Sequence, residues 1–166
     1  AVRRSLPPAA REALLKDQRW FLGARDEWFE NRERTGFKDF PDLFDRMTQR
    51  VEFLSSVRNA GSELPGLWRN TAGYVDIEPV GQGRVRVELS TAHPVNARWL
   101  CNVDGTARIM NGSLTLTPED SDGWRIRITK RQGFISVEEI GPEGSTRPYC
   151  GMNGHLDGGY FRTPRA

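Results

Sequence analysis

Cysteine and histidine are nearly absent from this chain: two of each stand among 166 residues. A zinc site is therefore poorly supplied, and the wide gap between Cys101 and Cys150 excludes Cys-x-x-Cys redox chemistry. The pair is left as two buried thiols or one disulfide. We expect the disulfide, which would close a long loop, add roughly 4 kcal/mol on the chain-entropy model, and mark an oxidising compartment. Long apolar runs are missing too; nothing approaches the ~20 residues that a membrane-crossing helix needs. The formal net charge is only +2, so no nucleic-acid partner met through a strongly basic face is expected. No G-x-S-x-G, H-E-x-x-H, EF-hand or phosphate-loop spacing occurs, so no catalytic residue, metal or cofactor is expected. The chain opens AVRRSLPP, with neither an initiator Met nor an apolar signal stretch; a leader removed on export and a trimmed chain are both open readings.

What is present suits a folded domain. Hydrophobic residues make up 37%, with five Trp and eight Phe to fill a core. In LPPAAREALLKDQRWFLGARDEWFENRER the prolines fit a first helical turn. Leu14, Phe21 and Trp28 recur every seven residues, as do Leu15, Leu22 and Phe29, with Arg11, Lys16, Asp17, Arg19 and Asp26 placed elsewhere on the helix. Gly36 should end it. A second helix is predicted in DFPDLFDRMTQRVEFLSSVRNAG, started around Asp39, Phe40 and Pro41 and closed by Asn59 and Gly61. Its Phe44, Met47, Val51, Leu54 and Val57 fall at spacings of three and four. The two are expected to pack as an antiparallel hairpin, with Leu14, Phe21, Leu22 and Trp28 facing Phe44, Met47, Val51 and Leu54.

After Pro65 the period becomes two. Val85, Val87 and Leu89 oppose Arg84, Arg86 and Glu88, and Trp124, Ile126 and Ile128 oppose Arg125, Arg127 and Thr129. Val75 with Ile77, Leu114 with Leu116, Trp99 with Cys101 and Val103, and Ala107 with Ile109 mark further strands. Turn signals stand at Gly81-Gln82-Gly83, Asp104-Gly105, Asn111-Gly112, Asp122-Gly123 and Gln132-Gly133. The fold class is thus α+β: a helical hairpin over residues 1–60, then an antiparallel barrel or sandwich of about eight strands over 66–166, joined near Ala60 to Gly66.

The stretch YCGMNGHLDGGYF, from Tyr149 to Phe161, concentrates four glycines, Cys150, His155 and Asp157 in thirteen residues. It reads as turns at Asn153-Gly154 and Asp157-Gly158 that tie the last segment to the strand of Cys101. His155 and Asp157, two apart, would share a face of an extended strand and are candidate binding residues. His93 precedes a proline and has no evident partner.

The helices carry a resemblance. LLKDQRWFLGARDEW is similar to the L-x-x-x-Q-R-x-F/W-L-x-x-R-D pattern of the bacterial envelope family that includes the LprI lysozyme inhibitors, and DLFDRMTQRVEFL resembles the helix that follows there. The matching positions are Leu14, Gln18, Arg19, Phe21, Leu22, Arg25 and Asp26, then Arg46, Arg50 and Leu54. Where that family carries cysteines after its Arg-Asp pair, this chain has Trp28. The β segment is loosely similar to the small barrels of MliC-type inhibitors. The resemblance implies a periplasmic or secreted binding protein that blocks lysozyme or another cell-wall hydrolase. A positive net charge would not steer it toward a basic lysozyme. The other reading is an envelope module that binds peptidoglycan or another anionic glycan through Arg84, Arg86, Arg125 and Arg127, with Arg131 nearby. Against that stands a bland possibility, solvated strand faces paired with Glu88, Glu138 and Glu139.

Overall fold

The computed structural model describes residues 6–35, 43–59, 61–119 and 121–165. Helix α1 (Pro8–Thr35) and helix α2 (Leu43–Ser56) precede eight strands: β1 (Gly66–Arg69), β2 (Gly73–Gly81), β3 (Arg84–Ala92), β4 (Leu100–Arg108), β5 (Ser113–Leu116), β6 (Arg125–Lys130), β7 (Ile135–Ile140) and β8 (Gly158–Thr163). The expected helix end at Gly36, the expected start of α2 at Asp39, Phe40 and Pro41, and Ala60 in the connection lie outside the described residues.

The strands form one antiparallel sheet in the order β4-β3-β2-β1-β8-β7-β6-β5. Two four-stranded meanders are joined where β8 pairs with β1, and the end strands β4 and β5 come together to nearly close a barrel. Closure hides sheet edges that would otherwise be open to other chains. Alternation sets which side chains fill the interior: Val75, Ile77, Val85, Val87, Leu89, Val103, Leu114, Leu116, Ile126 and Ile128 are all buried, with Trp68, Trp99 and Tyr160 among them. The barrel is packed with side chains, so a ligand site has to lie outside it.

The turn readings hold at Asn111-Gly112 and Asp122-Gly123, where both residues of each pair take positive φ (50° and 74°, 46° and 86°) as a type I′ hairpin turn requires. Asp104-Gly105 is corrected: it lies within β4, opposite Glu88 and Val87. A Cβ at Gly105 would stand 3.3 Å from a Leu116 methyl, so the glycine lets β4 approach β5 at the seam.

The helix packing also differs from expectation. Phe44, Met47 and Val51 are exposed at 73%, 38% and 60% and take no part in the apolar seam expected between the helices; of the four α2 residues only Leu54 adjoins the cluster of Leu14. Each helix instead packs on the outside of the barrel. Leu6, Ala10, Leu14 and Val57 cluster with Phe161 of β8, and Phe53, Leu54 and Phe134 adjoin them. Further along α1, Ala24 and Trp28 meet Val95 in the β3–β4 connection. This explains why the consecutive Tyr160 and Phe161 are both fully buried: one points into the barrel, the other under the helices. The buried line of α1 runs Ala10, Leu14, Asp17, Ala24, Trp28, at steps of three, four and seven. It includes an aspartate, and that charge leads to the site.

Candidate functional site

Asp17 is 7% exposed and Arg50 of α2 is 5% exposed. A buried carboxylate requires close partners to offset its lost hydration. Arg50 Nη1 donates to Asp17 Oδ2 at 2.7 Å and to Thr71 Oγ1 at 3.0 Å, and Arg50 Nε donates to Gln18 Oε1 at 2.9 Å. The Thr71 amide donates to Asp17 Oδ1 at 2.9 Å. Thr71 is presented by the tight β1–β2 turn, in which Asn70 Oδ1 accepts from the amides of Ala72 and Gly73. The helices and barrel are thus pinned together at one buried ion pair.

One donor of this network is left over. Arg50 Nη2 is buried and has no hydrogen-bond partner among the described residues. The rings of Phe21 and Phe53 lie 5.1 and 4.9 Å from the guanidinium carbon. These rings interact with the cation but supply no in-plane acceptor. One helical turn earlier, Arg46 donates through Nη2 to the Val95 carbonyl at 2.8 Å, while its buried Nε also lacks a partner among the described residues. Burial pushes the Arg46 guanidinium below its ordinary pKa. Arg46 and Arg50 line a pocket of about 320 Å³ between α1, α2, the β1–β2 turn and the β3–β4 connection, with walls that include Phe21, Trp28, Phe53 and Tyr74. Both arginines line this pocket, and guanidinium groups so placed are suited to an oxyanion.

The residues singled out from sequence are dispersed. Arg84 and Arg86 stand on β3, while Arg125 and Arg127 stand on β6; the two strands are not neighbours, and β4 and β5 lie between them at the seam. Arg84 donates to Thr106 Oγ1 at 2.8 Å, Arg86 pairs with Glu78, and Arg127 and Arg131 each lie 3.9 Å from Glu138. Arg125 has no ion-pair partner among the described residues. A single basic patch across β3 and β6 is not what this arrangement provides.

His155 and Asp157 do share a location, a groove of about 710 Å³ on the flank of α1 that also contains Lys16, Trp20 and Glu138. His155 lies between Trp20 and Trp99, with ring centroids 5.5 and 5.3 Å away. Asp157 Oδ1 accepts from the Glu139 amide at 2.7 Å. The Glu139 side chain is wholly buried and accepts from the Leu156 amide and the Tyr149 hydroxyl, both at 3.0 Å. These contacts fasten the C-terminal segment to β7. Asn153 takes a positive φ of 65°, as its turn reading required, but Asp157-Gly158 leads into β8 and makes no reversal.

Cys101 and Cys150 are bonded. Around the bond the Asn102 amide donates to the Tyr149 carbonyl at 3.1 Å and the Gly151 amide to the Leu100 carbonyl at 2.8 Å. Gly154 packs against it so closely that a Cβ would come within 2.8 Å of Cys101 Sγ.

The two histidines give the fold a pH dependence. Burial holds both His93 and His155 below the ordinary imidazole pKa, with Arg98 and Arg147 respectively acting in the same direction. As pH falls through about 6.5 the unfolded chain takes up these protons before the folded one does, so their stabilising contribution is present above that pH and lost below it. Glu139, raised by burial, has the opposite sign. We expect melting temperature to be level above about pH 7 and to fall as pH drops below about 6.5, with the decline reduced in H93Q/H155Q. An equally steep decline in the double variant would assign the effect to other groups.

Among the described residues no three His, Cys, Asp or Glu side chains converge as a metal site, and no helix is long and apolar enough to cross a membrane. No family model, curated protein or solved structure matches the chain.

The signal for Arg46 and Arg50 was in the sequence. Arg46, Arg50, Phe53 and Val57 follow one another at steps of four, three and four, which is the spacing of one helix face. The apolar stripe Phe44, Met47, Val51 was the competing choice, and hydrophobicity alone selected the wrong face.

Proposed function

We propose that this is a non-enzymatic, periplasmic or secreted binding protein whose ligand places an anionic group in the pocket of Arg46 and Arg50. The observation that carries the reading is that the two arginines lining that pocket each keep a guanidinium nitrogen without an acceptor among the described residues. Leaving such donors unfilled is costly, and an oxyanion would satisfy them with charge-assisted hydrogen bonds. The disulfide supports an oxidising compartment. This moves the expected anion contact from the strand faces to the interface of helices and barrel.

Thermal melts in low salt test the proposal, with acetate, phosphate, sulfate and glucuronate set against neutral analogues of matched size. At least one anion should raise the melting temperature in a concentration-dependent manner that salt weakens and R46Q removes. If no anion stabilises more than its neutral analogue, the proposal fails. Loss of lysozyme activity at stoichiometric protein, unaffected by R46Q, would instead favour the hydrolase-inhibitor reading implied by the helix resemblance.

A further inference from the structure

We infer that the ligand of the arginine pocket is a monoanionic carboxylate carried on an apolar, ring-sized body, and not a sugar acid; this rests on the anion reading above and specifies its chemistry. Three observations narrow the ligand. The first is charge. Arg50 is offset by Asp17 and Arg25 by Asp26, while Arg69 is exposed on the pocket's rim. Arg46, bonded to a neutral carbonyl, is the one half-buried cation of the pocket without an acidic partner among the described residues. One dehydrated positive charge, with Arg69 left in water at the rim, matches a carboxylate, whereas a phosphate dianion would bring a second negative charge into a partly dehydrated site.

The second observation is the state of the polar groups in the wall. Thr71 Oγ1 is engaged with Arg50 and the Asp17 carbonyl, Asn70 Oδ1 with two amides, and the Tyr74 hydroxyl with Glu88. A sugar brings several hydroxyls, and each one buried without a partner lowers affinity roughly 10- to 100-fold. The rest of the wall is Phe21, Ala24, Trp28, Phe53, Pro94 and Val95, with the Ala72–Gly73 backbone and the exposed Gln49. Such a surface receives hydrocarbon or an aromatic ring. The third observation is size: about 320 Å³, at roughly 30 Å³ per water-sized group, holds about ten heavy atoms. A carboxylate on a short arm with one ring fits that count.

Calorimetric titration of the intact protein separates the possibilities, using 3-phenylpropionate, acetate, glucuronate and phenyl phosphate as probes. We expect 3-phenylpropionate to bind at least tenfold more tightly than acetate, glucuronate or phenyl phosphate, and R46Q, whose circular dichroism should match the parent, to lose most of that affinity. Equal affinity for acetate and 3-phenylpropionate would overturn the apolar body while the anion reading stood. Preference for glucuronate or phenyl phosphate would overturn the carboxylate-on-apolar-body assignment in the same way. If none of the four binds although R46Q still folds, the anion reading itself falls.

Discussion

Arg50→Met should lower the unfolding free energy by about 3–5 kcal/mol, a larger loss than removal of any single exposed charge in the chain would cause. The substitution keeps much of the side chain's bulk but leaves the Asp17 carboxylate buried beside Thr71 with no cation. An uncompensated charge in a dry site is the costliest outcome available there. The same change in the background of Asp17→Leu should cost much less, because the charge and its partner leave together. Recovery would be partial, since the Thr71 amide loses its acceptor. Denaturant titration of the two single variants and the double variant measures the coupling directly. A loss below about 1 kcal/mol in Arg50→Met would mean that water reaches the pair and that the site is not dry.

Removing the disulfide comes next in size. Cys101 and Cys150 are 49 residues apart in sequence, and opening a loop of that length should cost about 4 kcal/mol on the chain-entropy model. The matched replacement C101A/C150A should lower the denaturation midpoint and raise the slope, because the unlinked unfolded chain is less compact. Non-reducing mass spectrometry of the native protein should find no free thiol. Two alkylatable cysteines in the native fold, or an unaltered midpoint in the alanine variant, would remove the bond from the stability of the fold.

The β strands were legible because alternation survives in most of them: Val85, Val87 and Leu89, or Ile126 and Ile128, point one way whatever surrounds them, and a closed sheet buries that side. The disulfide was legible by elimination in a chain with two cysteines. The helices were only half legible. Their periodicity located them, but a helix with two usable faces does not declare which one meets the core. On α2 the face richer in arginine is buried, because Asp17 and the Val95 carbonyl wait opposite Arg50 and Arg46. That choice depends on residues more than thirty positions away in sequence, which local pattern cannot register. The site failed to appear for the same reason. It is assembled from α1, α2, a hairpin turn and a loop, each of which reads locally as ordinary helix or connection.

The segment around Cys150 has a consequence beyond cross-linking. Through Tyr149 and Gly151 it hydrogen-bonds to the start of β4, the last strand on its side of the seam. It therefore occupies backbone groups that a foreign strand could otherwise recruit. The covalent bond keeps this short flap in place, and Gly154 gives the sulfurs room beneath it. In a reducing environment the flap would be held by a few hydrogen bonds alone, and β4 would present a vacant pairing edge. Reduction would thus open to strand pairing a stretch of β4 that the oxidised molecule keeps covered.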